Sequence, residues 1–470
     1  MATRTCRPRR LLLVPLVVAA MAASGGLSTA GAQASAPSAE LLGLTGSTTN
    51  VDLDASTAQV LKDNGVSVAP VAPATVSTSG STTTASFPIT EGYVAIYPQD
   101  QRPFVRGTFS HSGGLTFTAG GKSVTATDFI VNPGSSTLTA TVGGNGVQLL
   151  DLDGTNVRIT QDGSTTRLEG TVAKLSATAA SALNQAFGVS LFRQGIPLGV
   201  VRIAATGTAG PGGSPSAEIQ ALGGRTTNVD LDAATAQVLK DNGVSVAPVA
   251  PATVSTSGST TTASFPISQG YVSVYPQDQR PFVRGTFSHV GGLTFSAGGT
   301  SVTATDFIVN PGTSELTATV GGRPVQLLDL DGTNVRITQD GSITRLEGTV
   351  AKLSSAAASA LNQAFGVSLF RQGIPLGVVR IAAVSGPPPA VVGSATAPSP
   401  SAPGPSGSVG SGGGQVPSGG VATGGGGTAP GASPAGVFTL GAVAVTLVLA
   451  VGGGLWWTRL RFAPARDRAR

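Results

Sequence analysis

Cysteine is all but missing from this 470-residue chain. The single one, Cys6, lies among the N-terminal arginines. The remainder therefore has no disulfide, no thiolate metal site and no cysteine nucleophile, and must be held by its own packing. Histidine occurs twice, at His111 and His289, and tyrosine four times, at Tyr93, Tyr97, Tyr271 and Tyr275. The sequence contains no HExxH, no P-loop, no dinucleotide-binding glycine fingerprint and no G-x-S-x-G elbow, which removes the common signatures of hydrolases and nucleotide enzymes. Charged residues make up 11% of the chain, under half the usual share, and long solvated helices are excluded with them.

The basic pI is a property of the ends. Arg4, Arg7, Arg9 and Arg10 stand at one terminus, and Arg459, Arg461, Arg466, Arg468 and Arg470 at the other with Asp467. Without those residues 19 basic side chains face 22 acidic ones. A slightly acidic body offers no phosphate-binding footprint, so nucleic acid is not an expected partner.

What is abundant is glycine, 66 residues, and apolar sequence, 40%. Residues 1–34 read as a secretory signal peptide: arginines, the apolar run Leu11–Ala23, then small residues ending Ala32-Gln33-Ala34. Residues 384–435 are an uncharged Pro/Gly/Ser-rich stalk. Residues 436–457 are long and apolar enough for one membrane crossing, with Trp456 and Trp457 at its edge and the basic tail 458–470 after it. The expected location is the cell membrane, single-pass, with the body outside.

Between leader and stalk lies a tandem duplication. Pro37–Ala205 aligns without a gap on Pro215–Ala383 at a constant offset of 178, which sets repeat 1 at 35–205, a Gly/Pro linker at 206–215 and repeat 2 at 216–383. Differences are mild, such as Thr90/Ser268, Ile96/Val274 and Thr118/Ser296. Within a repeat, short alternating runs separated by Ala119-Gly120-Gly121, Asn132-Pro133-Gly134 and Asp162-Gly163 predict strands and turns. Phe87–Ile89 and Tyr93–Tyr97 read as two short strands, and Ser77–Thr84 as a polar loop. Asp54 predicts the cap of a short helix ended by Asn64-Gly65. Ser176 predicts the cap of a second, apolar at Ala179, Ala182, Leu183, Ala186 and Phe187 and stopped by Gly188. The fold class is mainly β: two tandem β-sandwich or barrel-like domains, each with one or two short helices, plus a C-terminal transmembrane helix.

Chemistry concentrates in FVRGTFSHSGGLTF, Phe104–Phe117, which returns as Phe282–Phe295. His111 and His289 could ligate a metal or haem, with the glycine pair after each admitting a flat ligand. Alternatively each is a strand-end histidine bonded to a carbonyl, with the glycines making a turn. Tyr93 and Tyr97 share a strand face about 13–14 Å apart, as ligands or as half-buried aromatics. Asp151 and Asp153 share a face about 7 Å apart, yet the pattern is not that of a calcium loop. Asp100, Arg102 and Arg106 read as surface charge or an interface. No arrangement points to an enzyme.

The order SFPITEGY, RGTFSHSGGLTF, DFIVNPGSSTLTATV, LLDLD and KLSATAASALNQAFGVSLFRQGIPLGVVRI resembles the HtaA-type haem-binding domain. The resemblance covers Phe87–Ile203 and Phe265–Ile381. It implies a β-rich fold that holds haem through a tyrosine near its start, with a histidine hydrogen-bonded to that tyrosine. His111 and His289 match the histidine. Tyr93 and Tyr271 stand for the tyrosine, three residues later than the family places it, giving Tyr93, His111, Tyr271 and His289 as expected haem-binding residues. The function that follows is a non-catalytic surface protein capturing haem. The alternative is a structural or adhesion repeat protein that meets an envelope protein and has no small-molecule ligand.

Overall fold

The computed structural model describes residues 35–385. The expected leader and tail, the apolar stretch and all but the start of the stalk lie outside the described residues. No helix among the described residues is long and apolar enough to cross a membrane.

Repeat 1 runs β1 (Ala39–Leu53), α1 (Ala55–Asp63), β2 (Ser67–Val71), β3 (Thr75–Ser79), β4 (Thr82–Ile96), β5 (Val105–His111), β6 (Gly114–Ala119) and β7 (Lys122–Asn132). It continues with β8 (Thr137–Val142), β9 (Asn145–Asp153), β10 (Arg158–Asp162), β11 (Thr165–Leu175), α2 (Ala177–Phe187) and β12 (Pro197–Ala209). Eight strands close a ring in the order β5-β4-β1-β12-β11-β9-β8-β7, and β7 returns to β5 through Phe109 opposite Val131. Of the two architectures the sequence allows, the closed barrel is the one formed. Closure leaves the ring without unpaired edges. The last strand extends to Ala209, where it pairs with Leu41.

Repeat 2 forms a second closed ring of the same order. Its first strand is broken into Ala217–Ile219, Leu222–Gly223 and Thr226–Leu231, and its helices are α3 (Ala233–Asp241) and α4 (Ser355–Phe365). The ring strands alternate because one face fills the barrel: Ala85, Phe87, Val94, Phe109, Val131, Leu152, Ala173 and Val201 are buried there.

Local chemistry sets the helices. Asp54 accepts from Thr57 N at 2.8 Å and Ser176 from Ala179 N at 3.1 Å, each satisfying an orphan donor of the first turn. Gly188, at φ 71°, ends α2 in the left-handed region. Two expectations are revised. Ser77–Thr84 is not a loop but the hairpin of β3 and β4, whose threonines pair across strands, as Thr78 with Thr83 at 3.1 Å. The two short strands expected around Phe87 and Tyr93 are one, β4, interrupted by a bulge at Thr90, which sits between the pairs Ile89–His111 and Glu91–Ser110.

Candidate functional site

That bulge decides where the expected ligands go. Ahead of it, Ala85, Phe87 and Ile89 share the barrel-facing side with His111. An unbroken strand would put Tyr93 there too. The extra residue reverses the alternation. Tyr93 pairs with Thr108, whose side chain meets repeat 2, while His111 faces the barrel. The structure thus places Tyr93 and His111 on opposite faces of the same two strands, and Tyr271 and His289 likewise.

The tyrosines belong to the junction between the repeats. Tyr93 stacks on Tyr271, ring centroids 5.6 Å apart and planes 15° from parallel. Tyr93 Oη donates to Glu40 Oε1 at 2.6 Å, and Tyr271 Oη to Glu218 Oε1 at 2.7 Å. Each glutamate also serves the other repeat. Glu40 binds Arg284 Nη1 at 2.7 Å and Tyr275 at 3.2 Å, and Glu218 binds Arg106 and, at 2.5 Å, Tyr97. The guanidinium carbons of Arg284 and Arg106 lie 3.5 and 3.9 Å from the ring centroids of Tyr275 and Tyr97. Burial, the first cause, pushes all four phenols above their ordinary range, Tyr275 to about 12. They are neutral donors to carboxylates, not tyrosinates. Thr108 meets Thr286, and Ser110 lies 3.4 Å from Ser288. Contacts between residues 178 apart mark a pseudo-two-fold axis. Arg106, expected at the surface or an interface, is an interface residue.

The histidines occupy a different place. The ring of repeat 1 and a cap of α1, β2, β3 and β6 line a partly open cavity of about 310 Å³; its counterpart in repeat 2 is about 280 Å³. The first lies at the low end of the range for small-molecule sites and the second just below it. The walls are apolar: Val51, Leu61, Val68, Phe87, Leu115, Phe117, Phe129 and Leu150 among others. Into this wall His111 sets one imidazole. Its Nδ1 lies 2.8 Å from Phe129 O and its Nε2 2.6 Å from Thr49 Oγ1; His289 repeats this with Phe307 and Thr227 at the same distances. A carbonyl only accepts, so Nδ1 carries the proton. Burial lowers both histidines to about 4, so at neutral pH Nε2 is an acceptor and the threonine hydroxyl donates to it.

The glycines after each histidine admit backbone rather than ligand. A Cβ at Gly113 would lie 2.5 Å from Ala74 N, and one at Gly114 2.0 Å from Ala126 O. Asp153 binds Lys174 at 2.8 Å and Thr155 at 2.6 Å, while Asp151 accepts from Gln148. They tie strand ends together. No cluster of three metal-ligating residues occurs among the described residues. Sequence reasoning missed Thr49, hidden in the run Gly46-Ser47-Thr48-Thr49-Asn50, and Glu40 and Glu218, which precede the resembling segments.

No protein-family model and no curated protein sequence matches the chain. Among solved structures, the C-terminal domain of HtaA from Corynebacterium glutamicum aligns at 16% identity over 36% of this chain and 99% of that one, with a TM-score of 0.25. The heme binding protein HtaB from Corynebacterium glutamicum aligns at 12% identity over 36% and 96%, with a TM-score of 0.24.

Proposed function

We propose that the chain is a non-catalytic binding protein that takes one small, largely apolar molecule in each barrel. The duplicated apolar cavity carries this reading. Burying ligand surface there would contribute about 25 cal/mol per Å², and the cap supplies an entrance. None of the nine residues of α1 is buried, although Ala58 and Leu61 line the cavity. The leader, stalk and apolar stretch would hang the paired barrels outside a membrane on a tether.

Haem, the ligand implied by the resemblance, meets a wall that does not fit a tyrosinate–haem centre. No tyrosine lines either cavity, both imidazole nitrogens are engaged, and no lysine or arginine lines the cavity of repeat 1 to meet a propionate. In repeat 2 Lys240 stands at the wall.

A chain of residues 35–385, which contains every strand of both rings, tests the proposal with the neutral dye N-phenyl-1-naphthylamine. Two dyes per chain are expected. Leu61→Asp with Leu239→Asp, which puts carboxylates beneath the caps, should weaken binding at least roughly tenfold, the scale of one lost apolar side chain. Hemin titrated into the same protein should give no iron-ligand Soret band. A band abolished by His111→Ala with His289→Ala would restore haem as the ligand and reject the assignment of these histidines to the wall alone.

A further inference from the structure

The polar pair in each cavity has only one capacity left, and that capacity names a ligand class. Thr49 has a single hydroxyl hydrogen, and it is spent on His111 Nε2. Nδ1–H of His111 is spent on Phe129 O. Among the described residues Thr49 Oγ1 makes no other hydrogen bond, so its remaining lone pairs can only accept. In repeat 1 the other polar residues of the wall stand at the cap and are occupied there; in repeat 2 Lys240 joins them at the cap. Thr57 Oγ1 donates to Pro197 O at 2.6 Å, Asp54 accepts from Ser56 and Thr57, and Thr83 pairs with Thr78. Repeat 2 reproduces the deep pair with Thr227 and His289.

We infer that each cavity selects apolar molecules carrying a hydroxyl, such as long-chain alcohols or terpenols, over the matching ketone. The inference rests on the cavity reading above and sharpens it. An alcohol entering the cavity donates its hydrogen to the threonine oxygen and keeps its desolvated hydroxyl paired. A ketone brings only lone pairs to lone pairs and leaves its carbonyl unsatisfied. The histidine acts as a positioning residue: by taking the threonine's proton it fixes which way the hydroxyl points.

The test uses one straight-chain skeleton, dodecane, as the hydrocarbon, the secondary alcohol and the methyl ketone. Each displaces N-phenyl-1-naphthylamine from the protein of residues 35–385. The alcohol should bind roughly tenfold tighter than the ketone, the scale of one net hydrogen bond, with the hydrocarbon reporting the apolar contribution alone. His111→Phe with His289→Phe frees the threonine hydroxyl to donate, and the ketone should then rise to match the alcohol. Circular dichroism establishes whether that variant folds; the comparison in the unaltered protein decides the matter without it. Equal binding of all three, or a ketone as tight as the alcohol, would overturn donor selection while leaving the apolar cavity standing. Failure of all three to displace the dye would remove both readings.

Discussion

Glu91 shows how one side chain can hold the two barrels to a pH. It is 1% exposed, accepts from Asn310 of the other repeat at 2.8 Å, and occupies the position that repeat 2 fills with Gln269. Burial raises its carboxyl to about 7 despite the lowering effect of Asn310 and of Gly92 N. In the unfolded chain it titrates near its ordinary 4.5. Between those values the unfolded state releases its proton first, so stability falls as pH rises and levels off above about 7. Glu91→Gln keeps an acceptor for Asn310 and removes the titration. It should stabilise the protein by on the order of 2–3 kcal/mol at about pH 8 and by almost nothing at about pH 4, read from urea unfolding at each pH. His111 and His289 slope the other way, because a lowered base costs stability as pH falls from 6.5 toward 4. Those slopes, and those of Asp128 and Asp306, whose pKa values burial raises, are common to both proteins and cancel in the difference. A gap that stays constant with pH would reject the buried-acid account. Of the site, the sequence shows His111 and the pairing of Tyr93 with Tyr97. It does not show which face Tyr93 takes, because a one-residue bulge leaves no mark in a string of residues that alternate on either side of it.

At the scale of elements, the caps and turns were legible because their chemistry is local. Asp54, Ser176, Gly188 and Asp162-Gly163 act within three or four residues. The length of β4 was not, since its continuity depends on β1 and β5 pairing along both sides of the bulge. Nor was the looseness of α1. It has nine residues and a sound N-cap, but buries none of them and leaves Val60 46% exposed. A helix that short is marginal without packing. α2, by contrast, buries Ala179 and Ala180 and rests beside Phe192. Amides of α1 should therefore exchange with deuterium well ahead of those in α2 and β12, and slow when dodecanol fills the cavity, as mass spectrometry of the fragments would report. Protection of α1 equal to that of β12 without ligand would mean the cap is a fixed wall, and entry would have to be elsewhere.

For the whole molecule, the pseudo-two-fold axis says that the chain is a dimer written on one polypeptide. Every cross-repeat ion pair joins positions that both repeats possess: Glu40 to Arg284 and Glu218 to Arg106. Two copies of repeat 1 could therefore make Glu40–Arg106 twice, with Tyr97 beside each, and stack Tyr93 on its own counterpart. An isologous surface is self-complementary by construction. Left alone, residues 35–209 would expose Tyr93 and Glu40, which the intact chain buries, and the hydrophobic and charge-paired surface would be regained by pairing. The expected outcome is a homodimer by light scattering, and a wild-type monomer would overturn the axis as an energetic unit. Glu40→Arg sets like charge against Arg106 at both ends of the axis and should abolish the dimer. One difference separates the homodimer from the natural pair: it buries Glu91 twice, where the chain buries Glu91 once and Gln269 once. Its dissociation should accordingly rise with pH between about 4.5 and 7, and Glu91→Gln should make that rise shallower. The difference between Glu91 and Gln269 then has a physical reading: it spares the interface a second buried acid.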